Sequence, residues 1–131
     1  MTDGTRLVQQ RMRNRLMDYL ELAGSFDAQR TYDSHHVVNV AHEVINQWED
    51  CVPDALWEVE SNKTVYSSDE IDALKQFHRT WAHAASAVPD GYPDLADVHA
   101  LPEWSELRVE AQRALATFLI RGRLPEDHAI S

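Results

Sequence analysis

With 131 residues, 44% of them hydrophobic, the chain has the material for one core and reads as a single helical domain over residues 1–131. Twenty-two acidic against twelve basic side chains give a net charge of −10, which repels phosphate backbones and argues against a nucleic-acid partner. The longest apolar runs, such as Phe118 to Ile120, fall far short of the ~20 residues that cross a bilayer, and the polar stretch Met1 to Leu7 lacks an apolar signal core. Cys51, the only cysteine, can form neither an internal disulfide nor a cysteine-based zinc cage, so the expectation is a cytoplasmic domain with no membrane association.

The charge is unevenly placed. Residues 1–30 carry five basic and four acidic side chains, residues 31–70 one and nine, and residues 71–131 six and nine. The middle of the chain therefore carries most of the negative field, and Arg6, Arg11, Arg13 and Arg15 form a local exception before it.

Four amphipathic helices follow from the apolar spacing, which predicts an all-α, compact, four-helix bundle-like domain with two long connectors. The first runs from about Thr5 to Ala23, with Val8, Met12, Leu16, Tyr19, Leu20 and Ala23 on one side and Gly24 as its terminator. A connection from Gly24 to Asp33 then makes the next helix an antiparallel neighbour. That second helix is expected over Ser34 to Cys51. At about 100° per residue it turns Val37, Val38, Ala41, Val44, Ile45, Trp48 and Cys51 to one side. His35, His36, Asn39, His42, Glu43, Asn46, Glu49 and Asp50 fall on the other. Glu49 and Asp50 lie at its C-terminal end, where carboxylates are unfavourable, and the arginines of the first helix are the expected internal counter-charge.

Residues 52–66 start with Val52-Pro53 and include Trp57; they fit either a short helix or a hairpin. The third helix starts at the capping box Ser67-x-x-Glu70 and continues through Ile71, Leu74, His78, Trp81, Ala85 and Val88. Residues 88–101, with Pro89-Asp90-Gly91 and Pro93, predict a turn and then a short helix. The fourth helix begins at Pro102, buries Trp104, Leu107, Ala111, Ala114, Leu115 and Phe118, and ends before Gly122. Residues 1–4 and 123–131 are tails, either flexible or packed.

Chemistry-bearing patterns are sparse. There is no Gly-x-Ser-x-Gly turn, no phosphate-cradling loop and no dinucleotide fingerprint, so no catalytic residue is assigned and an enzyme is not the expectation. Seven histidines lack the helical pair four apart that zinc sites use; His78 and His83 are five apart and His35 and His42 seven, so no metal and no cofactor is expected. Cys51, beside Glu49 and Asp50, reads as a small core residue, since both neighbours raise a thiol pKa.

Three surfaces remain. The His/Asn/Glu face, His35, Asn39, His42, Glu43, Asn46, Glu49 and Asp50 with Trp57, suits a non-catalytic protein-binding or regulatory module whose partner is a basic protein. A pocket at His78, walled by Trp81 and Trp104, suits a small-molecule enzyme or sensor; a core imidazole hydrogen-bonded to Tyr19 or a carbonyl explains the same residue. Val109, Ala116 and Ile120 line up away from the main stripe of the fourth helix and suit either a homodimer, as in a structural assembly protein, or coverage by the folded-back tail through Leu124 and Ile130. The first reading is the expectation.

Overall fold

A computed structural model of the chain describes residues 3–35, 39–51, 65–89, 91 and 93–130. Those residues form six α-helices and no strand: α1 (Asp3–Ala23), α2 (Phe26–His35), α3 (Val40–Cys51), α4 (Ser68–Ala87), α5 (Leu95–His99) and α6 (Pro102–Leu119). The all-α fold read from the apolar spacing is what the chain adopts. The choice between helix and hairpin for residues 52–66, and the place of Trp57, lie outside the described residues except for Val65 and Tyr66, which are buried.

Two boundaries differ from the sequence reading, and in both a capping side chain is the cause. The supposed connection after Gly24 is mostly α2: Ser25 Oγ accepts from the Ala28 N–H at 3.0 Å, and Asp27 lies in the positively polarised first turn. The helix expected over Ser34 to Cys51 is two helices. Asn39 stands outside α3 and its Oδ1 accepts the His42 N–H at 3.1 Å, which is how an N-cap satisfies an orphan donor. At the start of α4 the capping box is complete: Ser67 Oγ accepts from Glu70 N–H, and Glu70 Oε1 accepts from Ser67 N–H, both at 3.1 Å.

The buried side chains form one cluster. Leu16, Met17, Tyr19 and Leu20 of α1 meet Val44 and Trp48 of α3, Leu74 and Phe77 of α4, Val98 of α5, and Leu107, Ala111 and Phe118 of α6. At its centre, the rings of Tyr19, Trp48 and Phe77 contact one another with centroids 4.6–6.0 Å apart. Ile45 and Trp81, expected in the core, are half-buried against it. Pairings run antiparallel: the start of α4 meets the end of α6 through Glu70 and Arg121, and Trp81 Nε1 donates to Ile45 O at 3.1 Å across α3 and α4. Gly24 lets α1 approach α6, for a Cβ there would stand 3.0 Å from Leu20 O and 3.2 Å from Gln112, whose Nε2 donates to Gly24 O.

The polar side of α1 departs most from expectation. Val8, assigned to the core, is exposed, whereas Gln10, Arg13 and Asn14 are buried. Residues 122–130 fold back along this side and cover it. Arg13 pairs with Glu70 at 2.8 Å, not with Glu49 or Asp50, and Arg11 donates to the carbonyl of Glu126. The counter-charge of the arginine-rich segment is thus the start of α4 and the tail, because those elements, and not the end of α3, close over it.

Candidate functional site

The face predicted on residues 34–51 divides once its residues are placed. Asn39 and His42 are held inward: Asn39 Nδ2 donates to Pro93 O at 3.0 Å, and His42 Nε2 contacts the carbonyl of Gly91, so both side chains fasten the connector between α4 and α5 to α3. Glu43 accepts from Gln47 Nε2 at 3.2 Å one turn later, half-buried. Asn46, Glu49 and Asp50 are exposed. The side chain of His35 lies outside the described residues, as do those of His36, Cys51 and Trp57.

His78 and Trp81 come together, with rings 5.4 Å apart and stacked, while Trp104 is held elsewhere. The Trp48 indole N–H donates to His78 Nδ1 at 3.0 Å. An indole nitrogen only donates, so Nδ1 is the bare nitrogen of a neutral ring and the proton sits on Nε2. The partner foreseen for His78, Tyr19, spends its hydroxyl on Val44 O at 2.7 Å. His78 is therefore already coupled to the core through Trp48.

Trp104 belongs to a second polar cluster that the sequence reading missed. Gln29, wholly buried, donates through Nε2 to the carbonyls of Leu22 and Ala23, and its Oε1 accepts from both Trp104 Nε1 (3.1 Å) and His99 Nε2 (2.8 Å). The indole fixes the orientation of the amide, and the amide oxygen in turn requires a proton on His99 Nε2. His99 stacks on Phe26 at 3.8 Å, and the Arg108 guanidinium lies 4.6 Å from the same ring. Burial, then the charges of Arg30 and Arg108, push the His99 imidazole below its ordinary pKa against the opposing pull of Asp33. A shallow cleft of about 580 Å³ lies beside it, lined by Arg30, Asp33, Asp94, Leu95, Ala96 and His99. Gln29 carries no chemical motif, and its burial inside α2 shows only in the fold.

A further concave surface lies between α4 and α6. Two clefts of about 530 and 310 Å³ join at Glu110. Ala73 and Ala114 form the floor, Ile120 stands at one end and Val109 at the other, and Thr80, Ser105 and Thr117 add hydroxyls. Asp69, Asp72, Glu106 and Glu110 line it against a single cation, Arg113, which pairs with Glu110 at 2.6 Å. Val109, Ala116 and Ile120, the strip picked out for association, are all exposed, with Ile120 81% accessible. The tail does not cover this strip; it lies along α1.

Among the described residues no three His, Cys, Asp or Glu side chains converge as a metal site needs, and no helix is long and apolar enough to cross a membrane. Comparison with protein-family models, with curated proteins and with solved structures finds no match to this chain.

Proposed function

We propose that the chain is a non-catalytic protein-binding module that takes a basic amphipathic helix of a partner protein in the groove between α4 and α6. The observation that carries this reading is a groove with exposed apolar ends and acidic flanks: Val109 and Ile120 are exposed at its two ends, the half-buried Ala73 lines it between them, and Asp69, Asp72, Glu106 and Glu110 line it as well. A helix laid along such a groove buries one apolar stripe and sets lysines or arginines against the rim, so that apolar burial supplies affinity and charge supplies register and encounter rate. Glu49 and Asp50, exposed on α3, add to the negative field that draws the partner in.

The test uses a defined probe, an amphipathic helical peptide with leucine on one face and lysine on its flanks, beside a glutamate-flanked control. Methyl resonances of Ala73, Val109, Ala114 and Ile120 should shift with the lysine peptide alone, and affinity should fall as salt rises. Asp72→Lys with Glu106→Lys should weaken binding at least about tenfold, ~1.4 kcal/mol. Shifts confined to Asn46, Glu49 and Asp50 would move the site to α3, and affinity indifferent to the charge reversals would remove the groove from the reading.

A further inference from the structure

Most contacts that hold the tail read its main chain, beside side-chain bonds from Asn14 to Glu126 and from Arg123 to Asp18 and Glu21. Asn14 grips one residue in both directions, its Nδ2 donating to Leu124 O and its Oδ1 accepting from Leu124 N–H, each at 2.9 Å. Gln10 spans a longer stretch: Nε2 donates to the carbonyls of Pro125 and His128 at 2.8 and 2.9 Å, and Oε1 accepts from Ile130 N–H at 2.9 Å. Arg6, Arg11 and Arg13 donate to the carbonyls of Ile130, Glu126 and Gly122. Two buried amides thus depend on the main chain of residues 124–130 for their partners, and nothing in those contacts requires the segment to belong to the same molecule.

The joint that feeds the tail onto α1 has two further properties. Gly122 takes φ +76°, a left-handed conformation open to glycine, so the direction of the tail is set at a residue that can adopt several others. Directly before it, Leu119 and Ile120 are 58% and 81% exposed, two large apolar side chains that the closed tail leaves in water.

We propose that two copies of this chain exchange their tails. Each segment 122–130 leaves its own α1 and makes the same hydrogen bonds on α1 of the other copy, and the crossing of the two joints brings Leu119 and Ile120 of both copies together. The closed monomer and the exchanged dimer share the clasp, so the apolar contact at the joint and the protein concentration decide between them. The proposal does not rest on the α4/α6 partner reading, although both draw on the exposed Ile120.

Complementation between full-length variants tests it. One variant carries Asn14→Ala, which spoils the acceptor while keeping the tail; the other carries Leu124→Asp, which spoils the tail while keeping the acceptor. Circular dichroism establishes that both remain helical. Light scattering after size exclusion should find each variant monomeric alone and a heterodimer on mixing, whereas the unaltered chain should dimerise as its concentration rises. A third variant, with three glycines inserted between Arg121 and Gly122, lengthens the joint in favour of closure within one copy and should raise the dimer Kd about tenfold; it stands in should either point variant fail to fold. An unaltered chain that stays monomeric at millimolar concentration overturns the proposal. So does a dimer that ignores the insertion, or a mixture that forms no heterodimer while the unaltered chain dimerises.

Discussion

Two helix-lined surfaces of this protein have opposite fates. The side of α1 that faces residues 122–130 is polar and closed: Gln10, Arg13 and Asn14 are buried, and the tail supplies carbonyl and amide partners for them. The groove between α4 and α6 is floored by alanines and open, with Val109 and Ile120 in water. A ranking of side chains by hydrophobicity would exchange the two. The difference arises because buried polar side chains are tolerated where they find partners, as Gln10, Arg13 and Asn14 do on the tail and on Glu70, whereas among the described residues no segment covers the apolar part of the groove.

Substitutions that leave a buried charge uncompensated should break the closed side most severely. Glu70 accepts from Arg13 and from Arg121, and Arg13 is fully buried, with its guanidinium 4.8 Å from the Phe118 ring. Arg13→Ala should cost about 3–5 kcal/mol in denaturant unfolding, because it strips one cation from a buried carboxylate and leaves a cavity. Leu16→Ala, in the core that both surfaces share, should cost about 2–5 kcal/mol.

Next in size is the clasp. Asn14→Ala removes both bonds to Leu124 and should cost about 1–3 kcal/mol, with proteolysis at residues 123–130 rising in step. A loss below about 0.5 kcal/mol with an unchanged cleavage pattern would show that the tail contributes little to closing this side.

Acid should distinguish the buried groups by where stability is lost. Burial works to raise the Glu70 carboxyl, but the hydrogen bonds from Arg121 and Arg13, the Ser67 N–H and the charge of Arg13 outweigh it and hold the group below the ordinary glutamate value. With its folded pKa depressed, its stabilisation is fully present above about 4.3 and is lost as pH falls through the folded value. His99 is also depressed, and for a base the sign gives an earlier onset: below about 6.5 the unfolded chain binds a proton that the folded chain resists, so stability declines down to the folded value. Thermal melts of His99→Gln should lack the first decline and keep the second. A single decline common to both proteins would remove His99 from the account.

The open groove should be least sensitive in the isolated protein. Asp72→Lys and Glu106→Lys, both exposed, should each change stability by less than about 0.5 kcal/mol while abolishing most lysine-peptide binding. A large loss of stability would mean that the rim serves the fold and not a partner.

Periodicity and capping were legible in the chain because they are local. The seams through Leu16, Leu74 and Phe118, the capping box at Ser67 and Glu70, and Pro102 at the start of α6 each follow from residues within a turn or two of one another. The same local reading merged α2 and α3 differently from the fold, since Ser25 and Asn39 declare themselves as caps only when the neighbouring N–H groups are placed. The candidate surfaces were less accessible still. Asn39 and His42 looked like a binding face and instead hold Pro93 and Gly91, and Trp104 joined Gln29 and His99 instead of His78.

By itself, then, the sequence determined that the chain is helical, where most apolar seams run, and that its field is negative. Only the tertiary structure decided which polar side chains are buried, that Glu70 answers Arg13 across 57 positions, and that Gln10 and Ile130 meet across 120. The physical reason is range. A helix is written in neighbours three and four residues apart, whereas a buried hydrogen bond or an uncovered groove depends on which distant segment arrives, and no local pattern specifies that arrival.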